Sequence, residues 1–132
     1  MANPNIVNVT TIYGVTTYLT PSVTTAVVLL PNTASSGLVY KINNIVASNV
    51  NGAAAVDTTV SIYTNGAVAQ GSAPSSGTAY PIVSTVSVPA DASLIVVDKT
   101  TALYLMEGTS IVVTSGTASG ITYSISYESI AS

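Results

Sequence analysis

The chain has 132 residues and a net charge of −3, only 5% of its residues are charged, and it has no His, Cys, Arg or Trp. This composition excludes disulfides and thiolate metal sites. It also argues against nucleic-acid binding, which needs clustered Lys and Arg. Few side chains remain for acid–base or nucleophilic catalysis. We therefore expect no enzymatic activity, no catalytic residues, no cofactor, no resident metal, and neither nucleic acid nor membrane as a partner.

The abundant residues are those of β-sheets. The chain holds 19 Val, 11 Ile, 19 Thr and 18 Ser, about half of all residues. β-Branched side chains suit the pleated, half-buried surface of a sheet. The length corresponds to one domain with one core. An ordinary soluble domain carries about 25% charged residues, so the surface here is either covered with neutral hydroxyls and amides or buried by neighbouring copies.

The first elements read as an arm followed by two strands. Residues 1–12 contain Pro4 and three Asn, and they predict an extended N-terminal arm, with an ordinary edge strand as the alternative. Residues 13–132 then form the domain. Strands are predicted at residues 13–19 and 23–30, with a break at Pro21. The apolar run at residues 27–30 is typical of a strand buried on both faces.

The middle of the chain predicts two long strands. The alternation of residues 38–50 slips at residues 43–44, which predicts a bulge there. Asn51-Gly52 is the strongest turn signal. Residues 56–64 alternate strictly, so one face is expected to be dry. The predicted inward residues are Val56, Thr58, Val60 and Ile62.

The remainder is a long loop and five shorter strands. Residues 65–79 are rich in Gly, Ser, Ala and Pro and predict a flexible loop, either a contact between subunits or a tolerated insertion. Strands follow at residues 80–88, 94–97, 102–106, 111–115 and 121–128. No segment shows helical periodicity. Eight or nine short strands predict an all-β antiparallel β-sandwich, Ig-like or jelly-roll.

Three segments resemble small β-sandwich virion structural proteins of tailed phages, notably phages of marine bacteria and cyanobacteria. They are residues 40–63 (YKINNIVASNVNGAAAVDTTVSIY), 86–108 (VSVPADASLIVVDKTTALYLMEG) and 121–130 (ITYSISYESI). The matching positions are Lys41, Asn43, Asn49, Val50, Gly52, Pro89, Ala90, Ser93, Leu94, Val97, Asp98, Lys99, Tyr104, Leu105, Glu107, Gly108, Ser126, Tyr127, Glu128 and Ile130. Together they cover about the C-terminal two-thirds of the chain.

The resemblance implies a virion component on a β-sandwich and supplies no catalytic residues. The chain departs from the family pattern at Met106 and Ser129, where Glu is more usual, and in its longer loop. The expected role is a capsid decoration or cement protein on the capsid surface. Its expected partners are the major capsid protein and copies of itself. A neck, tail or fibre-attachment protein and a carbohydrate- or host-surface-binding module are the alternatives.

Tyrosines, the N-terminal arm and the long loop are the candidate contact residues. Tyr is common in interfaces because it combines a large flat ring with a polar tip. The predicted interface residues are Pro4, Ile6, Val7, Val9, Tyr13, Tyr18, Tyr63, Val68, Gln70, Pro74 and Tyr80. By contrast, Tyr104, Tyr123 and Tyr127 are predicted to be core or corner residues.

Three chemical alternatives are weaker. Asp91, Asp98 and Glu107 sit at consecutive predicted turns and could act as paired acids or bind Ca²⁺, but they lack the spacing of a calcium loop. Solubilising one end of the sandwich is the simpler role. Lys41 or Lys99 could form an isopeptide bond with an Asn, although Asn43 and Asn44, which are near Lys41, lie on the same predicted strand. No basic region followed by a long apolar run is present, so we expect no secretory signal and synthesis in a host cytoplasm.

Overall fold

A computed structural model describes residues 7–101 and 103–131 of the chain. These residues form nine strands, and a three-residue 3₁₀ turn at Lys99–Thr101 precedes β7. The strands are β1 (Thr11–Leu19), β2 (Val27–Asn32), β3 (Val39–Asn49), β4 (Val56–Tyr63), β5 (Ala79–Val88), β6 (Ser93–Val97), β7 (Leu103–Leu105), β8 (Thr109–Ser115) and β9 (Ile121–Ala131).

The strands form two antiparallel sheets packed face to face, which confirms the predicted all-β sandwich. The first sheet has the order β1-β9-β3-β6, and β7 also pairs with β3. The second has the order β2-β8-β4-β5. Both inner faces contribute to one apolar core, as two stacked sheets require.

The strand pairs are nested along the chain. β1 pairs with β9, β2 with β8, and β4 with β5. β3 pairs with β6 through one half of its length and with β7 through the other half, so β6 and β7 act as one interrupted strand. Successive pairs, from β1 with β9 inward to β4 with β5, therefore lie one inside the other along the chain and alternate between the two sheets.

The predicted alternation is confirmed in the strands that fill the core. In β9, Ile121, Tyr123 and Ile125 are fully buried. In the first half of β4, Val56, Thr58 and Val60 are buried, whereas Asp57 is exposed. In the second half Ile62 is only half-buried, and Ser61 and Tyr63 of the opposite face are buried as well, so the strict alternation does not hold there. All four residues Val27–Leu30 of β2 are buried, so this strand is covered on both faces as its apolar run predicts.

The predicted bulge in β3 is also confirmed. The register between β3 and β9 shifts between Ile42 and Asn44. Side chains alternate along a strand, so residues three apart normally face opposite sides. The extra residue, Asn43, allows both Ile42 and Ile45 to be fully buried.

Three parts of the sheets differ from a simple pattern of alternating strands joined by hairpins. The Asn51-Gly52 turn does not close a hairpin, because β3 and β4 belong to different sheets. The alternation of β5 is broken by two register shifts against β4, with Thr85 in a left-handed conformation at φ 52°. β6 is only partly buried, with Ile95 63% exposed, because it lies at a sheet edge.

Two buried asparagines tie loops to the ends of the sandwich. The Nδ2 of Asn49 donates to the carbonyl oxygens of Ala54 (3.0 Å) and Val88 (2.8 Å), and its Oδ1 accepts from the backbone N–H of Asn51 (2.8 Å). In the same way, the Nδ2 of Asn32 donates to the carbonyl oxygens of Leu38 and Leu105, both at 3.0 Å. Each amide supplies partners that buried backbone groups need.

Tyr123 joins the two sheets through the core. It belongs to β9 in the first sheet, and its hydroxyl contacts Thr58 Oγ1 and donates to the carbonyl oxygen of Thr114 (2.9 Å) in the second. Burial raises the pKa of the Tyr123 hydroxyl to about 12, an effect that the hydrogen bond with Thr58 partly offsets. Neutral Tyr123 is therefore part of the folded state.

We predict that Asn49→Ala lowers the free energy of unfolding by about 3 kcal/mol, because it leaves two carbonyl oxygens and one N–H without their buried partner. Urea unfolding measures this change. Asn51→Ala is the matched control, since its Oδ1 accepts one exposed bond from Ala53 N. We expect it to cost less than about 1 kcal/mol. Equal costs for the two variants would contradict the role of Asn49.

We predict that stability falls as pH rises from about 10 to about 12. In this window an unfolded chain loses the Tyr123 proton near the ordinary tyrosine pKa of about 10, while the folded chain retains it. Because the unfolded state then binds fewer protons, the free energy of unfolding decreases with pH. The pKa values of Tyr40 and Tyr127 are also raised, chiefly by burial, and add to the slope.

The test is chemical unfolding at a series of pH values. Tyr123→Phe removes the largest of the three contributions, so its slope between pH 10 and 12 should be shallower than that of the parent chain. Parallel slopes in the two proteins would show that Tyr123 ionises as readily in the folded chain as in the unfolded one.

Candidate protein–protein interface

The first strand presents apolar side chains on both of its faces. Cross-strand pairs place Tyr13 and Val15 on the inner side of the first sheet, and Ile12 and Tyr18 on the outer side. Their exposed fractions are 65% and 37% for the inner pair and 56% and 72% for the outer pair. The inner pair is exposed, so the described residues leave this half of β1 largely uncovered on its inner face. We call these four residues the β1 surface.

The residues before β1 only partly match the predicted arm. Thr11 and Ile12, predicted within the arm, are the first residues of the strand and pair with β9, as in the edge-strand alternative. Residues 7–10 form a turn and bend, with Val7 exposed and Val9 half-buried. Thr10 N donates to the carbonyl oxygen of Ala131 at 2.8 Å. The candidates Pro4 and Ile6 lie outside the described residues.

The long loop, residues 64–78, lies against its own sheet. The N–H of Val28 in β2 donates to the carbonyl of Ser72 (2.9 Å), and the N–H of Gly71 donates back to the carbonyl of Val28 (2.8 Å). The loop therefore extends the second sheet beyond β2. Gly66 permits the close approach, since a Cβ there would lie 2.1 Å from the carbonyl oxygen of Asn32. The uncharged, small-residue composition that predicts a flexible loop also allows this packing.

The loop changes the position of several predicted contact residues. Tyr63 is only 8% exposed, because the loop covers it and its hydroxyl accepts from Gly77 N (3.0 Å). It is therefore packed within its own chain and forms no part of the β1 surface. Val68 is half-buried against a small apolar cluster of β2, β4 and β8, and Pro74 is also half-buried.

Gln70 and Tyr80 remain accessible, in different places. Gln70 is exposed, and its Nε2 donates to Thr17 Oγ1 of β1 at 3.0 Å. It thus brings the loop next to the β1 surface. Tyr80 is 61% exposed on β5, at the opposite edge of the second sheet. From the predicted set, the structure therefore places Tyr13 and Tyr18 on opposite faces of β1 and Gln70 next to the same strand, whereas Tyr80 lies elsewhere.

The remaining tyrosines follow the prediction in part. Tyr123 is fully buried, as predicted. Tyr127 is half-buried, and its ring lies 4.8 Å from that of Tyr40. Tyr104 is 48% exposed, so its prediction as a core residue is wrong. It lies on the short edge strand β7, where only one neighbouring strand covers it.

Sequence reasoning missed Ile12 and Val15 as surface residues. Apolar residues on both faces of a strand normally indicate burial on both sides. In the segment TIYGVTTYL, however, neither face is more polar than the other, and no charge is present. The absence of charge in this strand, together with its place next to the N-terminal segment, is the sequence feature that could have indicated an exposed edge strand.

The charged residues are spread over several elements of the sandwich. Within the described part of the chain, no three acidic side chains come together as metal ligands. Asp98 lies in the Lys99–Thr101 turn region, and the hydrogen bond from the Thr100 hydroxyl lowers the pKa of its carboxyl. Glu107 instead accepts from the backbone N–H of Ser35 at 3.1 Å.

One mixed polar row crosses the outer face of the first sheet. Lys41 of β3 pairs with Tyr104 on one side and with Glu128 on the other. Asn43 Nδ2 donates to Glu128 Oε1 at 3.4 Å. Lys41 and Asn43 lie on the same strand, as expected from the sequence, so the arrangement offers no cross-strand pair for an isopeptide bond.

No ligand-sized pocket opens among residues 7–101 and 103–131. No helix in the same residues has the length and apolarity needed to cross a bilayer. No protein-family model matches the sequence, and no curated protein or solved structure matches the chain. The resemblance to phage virion proteins therefore rests on the sequence segments quoted above.

Proposed function

We propose that this chain is a non-enzymatic virion structural protein that binds other proteins through its surface. The proposed location is the outside of a phage head, where the chain would bind the major capsid protein as a decoration protein. The segment resemblance and the uncharged composition support this role. Neck, tail or fibre attachment uses the same kind of surface and is the alternative location.

The nested strand pairing supports the proposal at the level of fold. We infer that the order β1-β9-β3-β6 over β2-β8-β4-β5 is a jelly roll, with β6 and β7 counted as one strand. Double-sheet jelly rolls occur in viral capsid proteins and in lectins. A fold alone does not define a function, so the proposed role depends on the residues exposed on the surface.

The β1 surface is the observation that carries the proposal. It combines two tyrosines and two β-branched residues, and β1 contains no charged residue. Interface cores are enriched in aromatic residues and depleted of Lys, Glu and Asp. A neutral surface also costs less to remove from water than a charged one. These properties suit a surface that is covered in an assembly.

A repeated lattice strengthens such a surface. A single small contact gives only modest affinity, because association must first offset lost translational and rotational freedom. Several small contacts made by neighbouring copies add through high effective concentration. A decoration protein on a symmetric shell can therefore be stable without any one large interface.

A carbohydrate-binding module is the second candidate, and the row on the outer face of the first sheet favours it. The exposed ring of Tyr104 lies in line with Lys41 and Glu128, beside the Asn43 amide. An aromatic ring with nearby carboxylate and amide groups is a common way to hold a sugar. Only one aromatic ring is present in this row, which makes the site a small one.

We predict that the chain occupies repeated positions on the head of the particle that encodes it. Cryo-electron microscopy of purified particles, with mass spectrometry of their proteins, is the test. Density for a nine-stranded sandwich with β1 at a subunit contact is the expected result. Density at the neck or tail would contradict the head location and support the alternative location. Purified particles without this chain would contradict the virion role.

We also predict that the isolated protein retains no glycan on an array. Tyr104→Ala and Tyr80→Ala are the paired variants, since the two rings have similar exposure and only Tyr104 lies in the polar row. Glycan binding that is lost in Tyr104→Ala and kept in Tyr80→Ala would favour the second candidate over the structural role.

A further inference from the structure

The edge formed by β1 differs from the other three edges of the sandwich. An exposed edge strand can pair with a strand of another molecule, and proteins usually prevent this with Pro, charges, bulges, short strands or a covering loop. The four edges are β1 and β6/β7 in the first sheet and β2 and β5 in the second.

Three edges carry such protection. β2 contains Pro31 and a register shift, and the loop pairs with it at Val28. β5 contains Pro81 and two register shifts against β4. The third edge is divided into β6, of five residues, and β7, of three, with the Lys99–Thr101 turn in between.

β1 carries none of these features. It has nine residues, with neither Pro nor charge, and its register with β9 is unbroken from Thr11 to Leu19. Among the described residues only β9 pairs with β1, so its second edge is open. A long, regular, neutral edge with exposed apolar side chains is either an aggregation hazard or a site for strand addition.

We propose that β1 pairs with β1 of a second copy, antiparallel and about a two-fold axis at Val15, which joins the two first sheets into one. The proposal rests on the β1 surface being a protein-binding surface, and it names the partner. The absence of charge argues for self-pairing, because a charged residue near the axis of a two-fold contact would meet its own copy.

Geometry selects the register. In an antiparallel pair, two directly opposite residues either both form the hydrogen bonds between the strands or both point their N–H and C=O groups away from the partner strand. When two copies of β1 pair about a two-fold axis, the sequence numbers of opposite residues must therefore differ by an even number. Val15 is the centre of Thr11–Leu19, and a two-fold axis there pairs all nine residues. It places Ile12 opposite Tyr18 of the second copy on the outer face, and Val15 opposite itself. Aromatic with β-branched is a favourable cross-strand pair.

The shape of the molecule leaves room for the second copy. Tyr13 is 65% exposed and Val15 is 37% exposed, so the inner face of β1 is at least partly accessible at these two positions. In this register Tyr13 of the second copy is opposite Thr17, to which Gln70 donates. The Gln70 side chain then lies beneath that tyrosine and contributes to the contact.

The size of the contact sets its strength. Nine paired residues extend over about 30 Å. Such a contact is smaller than the roughly 800 Å² per partner of a standard stable interface. We therefore expect a dimer that forms reversibly, with a Kd of roughly micromolar or weaker in free solution.

Single cysteines test the register directly, because the chain has no Cys of its own. In Val15→Cys the two thiols face each other across the axis, at a Cα separation of about 4.5–5.5 Å that a disulfide can span. In Gly14→Cys or Thr16→Cys the same residues are diagonal, about 7–8 Å apart. Gly14 tolerates a side chain, since no atom lies within 4 Å of an added Cβ.

Under mild oxidation we expect Val15→Cys to form a disulfide-linked dimer at least about tenfold faster than either neighbour. Faster cross-linking of Gly14→Cys or Thr16→Cys would overturn the Val15 axis. No cross-linking by any of the three, together with a monomer in sedimentation at about 1 mM, would overturn strand pairing itself. A chain found in virions but monomeric would contradict only this inference and leave the proposed function standing.

Introduced lysines test the surface without cysteine chemistry. Ile12→Lys should weaken dimerisation by about tenfold, since a lysine on an edge strand opposes strand addition. Tyr80→Lys is the matched control, with 61% exposure against 56%, on an edge already protected by Pro81. Unchanged melting temperatures confirm that both variants fold. Equal weakening by both lysines would contradict a contact specific to β1.

Discussion

Uncharged hydrogen bonds close this sandwich, and the rest of the structure depends on them. With two lysines, five acids and no arginine or histidine, the chain has few ionic partners for buried backbone groups. Asn32 and Asn49 bind carbonyl oxygens at the ends of strands β7 and β5, and Tyr123 connects the layers through the core. Buried polar groups must be paired, whatever their chemistry. Amides and hydroxyls do so here without the large desolvation cost of ions.

The low number of charged residues also affects how the sheet edges are protected. The sheet edges are protected chiefly by backbone devices: Pro31 and Pro81, register shifts, and a loop that pairs with β2. β1 lacks these devices and keeps its apolar residues exposed. A surface of this kind is consistent with a protein that is covered by neighbours in use, and the resemblance to virion proteins points in the same direction.

The sequence predicts the elements better than their arrangement. Local pattern indicates which residues are buried in the first half of β4 and in the first half of β9, and the slip at Asn43 indicates the bulge. Burial of Tyr63 depends on a loop folding back over the sheet, and exposure of Val15 depends on how the two sheets pack. Both are consequences of tertiary packing, which alternation along one strand does not record. Asn51-Gly52 turns the chain as its residues favour, but the strands it connects belong to separate layers.

The pairing of the first strand with the last delays completion of the fold. Thr10 and Ala131, joined by a hydrogen bond, are 121 residues apart along the chain. Contacts of such high sequence separation slow folding, because a long loop must close before they form. During synthesis β1 emerges before the other eight strands and cannot pair with β9 until that last strand of the sandwich has been translated. The strand that we assign to assembly is thus the one exposed longest in the nascent protein.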